Sequence, residues 1–119
     1  MPFIGDTNNE TQEQFWQHGG NCASRAKAFK IYLQSRGVKN VRIVKVFRTN
    51  KKDNNVLPIY QGHTEGHEFV VWNGRCYSPD SGSTTEYYGV DVKSYQKFLK
   101  TRFGFNTWCD ENGNILSYF

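Results

Sequence analysis

A predicted β-hairpin between His67 and Asp80 constrains the fold of this chain more than any other segment. Two runs rich in β-branched and aromatic residues flank Asn73-Gly74, the dipeptide that a two-residue type I′ turn prefers. Folding the chain about that turn pairs Val71 with Cys76, and the same register places His67 opposite Asp80. Directly opposite side chains of an antiparallel pair share one face, with Cβ atoms about 5 Å apart. This arrangement suits a carboxylate that orients an imidazole.

Residues 22–36 carry the pattern of an amphipathic helix. Small and apolar side chains fall on one stripe: Cys22, Ala26, Phe29 and Leu33. Gly37 follows as a stop signal. Cys22 opens this helix, where the free N–H groups and the helix dipole favour a thiolate. A Cys at a helix N-terminus, with a His and an Asp brought together elsewhere, is the pattern of a thiol-nucleophile site.

The remaining pattern predicts one α+β domain spanning residues 1–119, in which 1–12 form a loose arm. The other predicted elements are strands at 41–47 and 56–60, a turn-rich loop at 81–88, a helix at 92–102 capped by Asp91, and a hairpin of 105–108 with 115–119 around Asn112-Gly113. Short turns between neighbouring strands make the sheet mainly antiparallel, with the helices packed against it.

Composition narrows the functional classes. No apolar run approaches 18 residues, so no membrane span is predicted, and residues 1–20 lack the pattern of a signal peptide. The net charge of +4 fits either scattered solvated lysines or an anionic partner. Three Cys without close spacing argue against a disulfide framework and a structural zinc site.

Each candidate residue also has an ordinary structural interpretation. Cys22 can be interpreted as a small buried residue of the helix, and His67 as a hydrogen-bonded histidine of the core. Asp80 can be interpreted as a residue of an Asx turn. The combination of the three residues favours the catalytic interpretation. The hairpin predicts that His67 and Asp80 meet, and the helix independently predicts an activated Cys22.

Further site residues follow from the chemistry of acyl transfer, which needs donors for a developing oxyanion. The Cys22 backbone N–H is one candidate, and the side-chain amide of Gln17 or Gln14 is another; a solvent-exposed Gln is an equally good interpretation. His63 and His67 are four residues apart, as in a helical zinc site, but the surrounding Gly residues and the following strand argue against a helix. We therefore expect no metal and no cofactor, and we place His63 at the rim of the site, against the substrate.

On these residues the chain resembles the papain-like fold toxin domains of bacterial polymorphic toxin systems, most closely their second group. The matching motifs are Asn21-Cys22-Ala23 opening a helix, Gly62-His63 through His67 leading into a strand, Asn73-Gly74, and Tyr77-Ser78-Pro79-Asp80, within residues 13–101. The resemblance implies a papain-like or transglutaminase-like core with Cys22 as nucleophile, His67 as base and Asp80 as its orienter. It also implies the C-terminal part of a larger secreted toxin, delivered into a target-cell cytosol and paired with an immunity protein.

The leading hypothesis is a cysteine-dependent hydrolase or acyltransferase acting on a protein substrate. A protease, a glutamine deamidase and a transglutaminase share one thioacyl intermediate, so the residues leave the choice open. The alternative is a basic nucleic-acid-binding module or nuclease toxin that does not use the Cys. In that case the phosphate groups would be contacted by Arg48, Lys51 and Lys52.

Overall fold

The computed structural model describes residues 22–50, 52–53, 55, 66–78 and 87–119. Within these ranges the chain forms two helices and six strands: α1 (Cys22–Ser35), β1 (Arg42–Phe47), β2 (Gly66–Trp72), β3 (Arg75–Ser78), β4 (Tyr87–Asp91), α2 (Val92–Phe103), β5 (Thr107–Cys109) and β6 (Ile115–Tyr118). The strands form one sheet in the order β4-β3-β2-β1-β5-β6, and all neighbouring strands are antiparallel. The α+β class predicted from the sequence is confirmed.

The central hairpin follows the register that the sequence predicts. Strands β2 and β3 pair Val70 with Tyr77, Val71 with Cys76 and Trp72 with Arg75. Asn73 has φ 53° and Gly74 has φ 72°, as a type I′ turn requires of its two central residues. The described pairing ends at Tyr77, and Asp80 lies outside the described residues.

The two helices cover opposite faces of the sheet. Helix α1 packs on a face that we call the α1 face, through a cluster of buried residues: Ala26, Phe29, Leu33, Val41, Ile43, Val70 and Tyr77. Helix α2 packs on the other, the α2 face, in a second cluster that includes Val44, Val46, Phe69, Val71, Cys76, Tyr95, Leu99 and Phe103. Since successive strand residues point to opposite faces, the alternation along β1 and β2 assigns each side chain to one cluster.

Strand β4 was not predicted, because the sequence pattern at 81–88 is that of a turn-rich loop. Gly89 has φ 72°, and the pairing of β3 with β4 shifts register between Cys76 and Tyr77. Such a bulge breaks the two-residue alternation by which strands are recognised. The predicted strand at 56–60 lies outside the described residues.

Helix α2 has the predicted capping residue at its start. Asp91 has extended backbone, and its Oδ2 accepts a hydrogen bond of 3.0 Å from the Ser94 backbone N–H. Gly104, at φ 75°, closes the other end with its N–H on the Lys100 carbonyl. Neither helix of the described ranges has the length and hydropathy needed to span a membrane.

A polar cluster joins the chain after β1 to the start of β5. Asn106 accepts a hydrogen bond of 3.0 Å from the Thr49 N–H and donates one of 3.0 Å to the Thr49 carbonyl. Thr107 Oγ1 donates to Asn106 Oδ1 at 2.7 Å and lies 2.6 Å from Thr49 Oγ1. Because Thr49 and Thr107 are buried, these bonds replace the lost hydration of their polar groups.

Replacing Asn106 with Ala should lower the free energy of unfolding by about 1–3 kcal/mol, because it leaves the Thr49 backbone groups without their side-chain partner. Urea unfolding measures the change. The control is Asn112→Ala, an exposed position in the β5–β6 turn, which should stay within about 0.5 kcal/mol of the parent. Equal losses in the two variants would contradict a specific role for the Asn106 amide.

Candidate functional site

His67 is a buried, hydrogen-bonded side chain at the start of β2. It is 4% exposed, and its ring stacks on Phe69 with centroids 5.7 Å apart. Nε2 lies 2.8 Å from Ser78 Oγ, on the neighbouring strand. Ser78 is itself 1% exposed. This bond fixes the orientation of the imidazole in an environment from which bulk water is largely excluded.

The direction of this hydrogen bond depends on which ring nitrogen of His67 carries the proton. A neutral imidazole carries its proton on one nitrogen and a lone pair on the other. When Nε2 donates to Ser78 Oγ, the lone pair is on Nδ1, and Nδ1 can then take a proton from an acid. Ser78 is thus the residue that contacts and orients the His67 ring within the described part of the chain.

Sequence reasoning overlooked Ser78 because it considered only directly opposite residues. The register predicted from the sequence pairs His67 with Asp80, and Ser78 is two residues nearer the turn on the same face of the hairpin. Such diagonal neighbours lie about 7–8 Å apart at Cα, within reach of a His and a Ser side chain. The contact between His67 and Ser78 could therefore have been predicted from the sequence.

Cys22 is the first residue of α1, as predicted, and its side chain is half-buried. None of the three Cys forms a disulfide. The following turns of α1 pack on the α1 face, where the Phe29 ring lies 5.9 Å from the Tyr77 ring. The sequence prediction that the helix stripe faces the core is confirmed for Ala26, Phe29 and Leu33.

Cys22 and His67 belong to the same end of the sheet. At the other end, Trp72 Nε1 donates to the Lys39 carbonyl just beyond α1. The first turn of α1, with Ala23 and Ser24, lines a cavity together with Glu68 of β2. The helix therefore runs so that its N-terminus lies near the start of β2.

The two side chains nevertheless belong to opposite faces. His67 shares the α2 face with Phe69, whereas α1 packs on Val70 and Tyr77 of the α1 face. The described structure thus brings His67 to Ser78 and does not bring Cys22 and His67 onto one face. The contact between the sulfur and the imidazole stays a prediction.

A charged cavity adjoins the first turn of α1 on the α1 face. Its volume is about 360 Å³, and its polar lining includes Lys27, Lys45, Glu68 and Glu111. Lys45 Nζ and Glu68 Oε1 form an ion pair of 3.1 Å. A cleft lined by charges of both signs suits a polar ligand better than an apolar one.

The other two thiols are unsuited to nucleophilic chemistry. Burial, followed by the nearby Asp91 carboxylate, raises the pKa of Cys76 to about 12. Burial also raises the pKa of Cys109. Since the thiolate is the reactive form, both side chains remain protonated and inert at neutral pH, in agreement with the sequence interpretation.

The remaining predicted site residues lie outside the described ranges. They are Asp80, the candidate oxyanion donor Gln17 with its alternative Gln14, and the candidate substrate contact His63. Within the described part of the chain, no group of three His, Cys, Asp or Glu side chains is arranged to hold a metal ion.

Comparison with family models, curated proteins and solved structures finds no match for this chain.

Brief alkylation of the folded protein with iodoacetamide near neutral pH should modify Cys22 and spare Cys76 and Cys109, because these two thiols are buried and have raised pKa values. Peptide mapping by mass spectrometry reads the adducts, and the urea-unfolded chain provides the control in which all three should react. Modification of Cys76 or Cys109 in the folded protein at the rate of Cys22 would contradict this assignment.

Proposed function

We propose that this chain is a cysteine-dependent hydrolase or acyltransferase, with Cys22 as nucleophile and His67 as base. One observation carries the proposal: the buried His67 imidazole is held by Ser78 at the end of the sheet where the helix of Cys22 begins. An oriented base and a thiol at a helix N-terminus are the two groups that thiol catalysis needs first.

The proposal requires the sulfur to reach the imidazole around the end of the sheet. Only Gly66 precedes His67 in β2, and Cys22 is the first residue of α1. Both groups therefore lie one residue or less from the ends of their elements. A route through the sheet is closed, because β2 is hydrogen-bonded on both sides, to β1 and to β3.

The reaction begins with transfer of the Cys22 proton to His67 Nδ1, while Ser78 holds the ring through Nε2. The thiolate attacks an amide carbonyl carbon, and His67 returns the proton to the departing amine. A thioester remains on Cys22. Water releases a carboxylic acid from it, as in a protease or a deamidase, whereas an amine gives a new amide, as in a transglutaminase.

Two further roles belong to the proposal through the resemblance to papain-like toxin domains. The resemblance assigns the orientation of His67 to Asp80, and with Nε2 on Ser78 Oγ that support would be indirect. Gln17 would donate to the oxyanion. The biological role would be that of a secreted toxin or effector that modifies a protein in a target cell. Such a toxin would be restrained by a cognate immunity protein.

The proposal is tested by the rate at which iodoacetamide alkylates Cys22 near pH 6. A thiol activated by an imidazolium reacts there, whereas a thiol with an ordinary pKa of about 8.5 is almost wholly protonated. His67→Gln should therefore slow the reaction at least about tenfold, a conservative share of the 10²–10⁴ that acid–base partners contribute. Ser78→Ala should slow it less, because the base remains but is no longer oriented.

The matched control is Glu68→Gln, one residue along β2 and on the opposite face. It should leave the Cys22 rate within about twofold of the parent, since the Glu68 carboxylate is paired with Lys45 on the α1 face, away from the imidazole. The proposal fails if His67→Gln leaves the rate unchanged, and a selective effect of Glu68→Gln would assign the activation of Cys22 to the α1 face. Circular dichroism verifies that each variant remains folded.

A further inference from the structure

Three lysines form a continuous line on the outer surface of α2. Lys93, Lys97 and Lys100 are spaced by four and three residues, so they share one side of the helix. All three are exposed. We call them the lysine stripe. The helix also contains Arg102 and has no acidic residue in its twelve positions.

Helix stability does not account for the lysine stripe. Lys93 lies in the first turn, where the positive end of the helix dipole disfavours a cation. Like charges spaced by three or four residues also repel one another along a helix. Only Lys100, in the last turn, is placed where the dipole favours it. The stripe therefore has an unfavourable electrostatic energy unless an anion approaches it.

The described part of the chain does not neutralise the stripe. The ion pairs found there join Lys30 to Glu111 and Lys45 to Glu68, and neither involves α2. The adjacent acid, Asp91, is engaged at the helix N-terminus, where the hydrogen bonds from Ser94 lower its pKa. The positive charge consequently faces solvent.

The opposite side of α2 fixes the stripe in position and limits what can bind it. Tyr95, Leu99 and Phe103 are buried in the core, and the Tyr95 ring meets the Phe69 ring at 4.9 Å. The apolar side of the helix is therefore committed to the fold. A helix that inserts into a lipid surface needs its apolar side for the insertion. Helix α2 can therefore bind a partner only through its charged side.

We propose that the lysine stripe is a docking surface for the phosphate backbone of a nucleic acid duplex. The seven steps from Lys93 to Lys100 span about 10.5 Å at 1.5 Å per step. Phosphates of one strand recur about every 3.4 Å along a duplex axis, so the stripe covers about three such intervals. Phosphate-directed side chains of this kind position a protein on a duplex without reading its sequence. The proposal does not depend on the chemistry of Cys22.

The test measures binding of the whole chain to a fluorescent double-stranded DNA across a series of salt concentrations. The variant Lys93→Gln/Lys97→Gln/Lys100→Gln should bind at least about tenfold more weakly near 100 mM salt. Its slope of log affinity against log salt should be smaller by about 2 to 3, because each phosphate that is no longer neutralised lowers the slope by about one. Its thermal stability should not fall, because the substitution removes repulsion between lysines.

The control is Lys27→Gln/Lys39→Gln/Arg42→Gln, which removes the same charge from exposed positions elsewhere. It should keep a slope within about one of the parent, since these side chains lie outside α2 and do not face the phosphates of the docked duplex. The proposal is overturned if the parent does not bind the duplex, or if both variants lose affinity equally. It is also overturned if the stripe variant loses binding to phosphatidylserine vesicles while its duplex binding is unchanged.

Discussion

The strict alternation of side chains along β2 is the constraint on which the rest of the structure depends. The Asn73-Gly74 turn sets its register against β3, and the antiparallel pairing with β1 extends that register through the middle of the sheet. Phe69 consequently belongs to the core beneath α2, and its neighbour Val70 to the core beneath α1. A slip of one residue in the register of β2 would exchange the side chains of the α1 face with those of the α2 face. Each helix would then pack on side chains that belong to the other core.

The same alternation gives one end of the sheet its polar interior. His67 continues the row of Phe69 and meets Ser78 across the strand, while Thr49, Asn106 and Thr107 satisfy one another near the end of β1. Buried polar groups are tolerated where each has a partner, and networks of this kind hold side chains in a single arrangement. An imidazole held in this way is oriented in advance, as its proposed role as a base would require.

Local signals account for what the sequence predicted well. The extent of α1, the hairpin and the capped helix α2 follow from Gly37, Asn73-Gly74 and Asp91, each of which acts on its immediate neighbours. Strand β4 was not predicted, because Gly89 and the adjacent bulge interrupt the alternation of side chains by which a strand is recognised.

The sequence could not predict on which face of the sheet the helix of Cys22 packs. Helical periodicity states which side of α1 is buried, but it does not state which face of the sheet receives that side. The hairpin register likewise places His67 within a row without saying which helix covers the row. Ser78, by contrast, could have been found from the register alone by including diagonal neighbours.

The central claim is that Ser78 orients His67 through Nε2, as the proposed role of Nδ1 as base requires. A long-range ¹H–¹⁵N correlation spectrum of the neutral His67 ring locates the imidazole proton directly, since the two ring nitrogens have distinct shifts in each tautomer. We expect a proton on Nε2 that is perturbed by Ser78→Ala. A proton found on Nδ1, unaffected by that substitution, would contradict the claim.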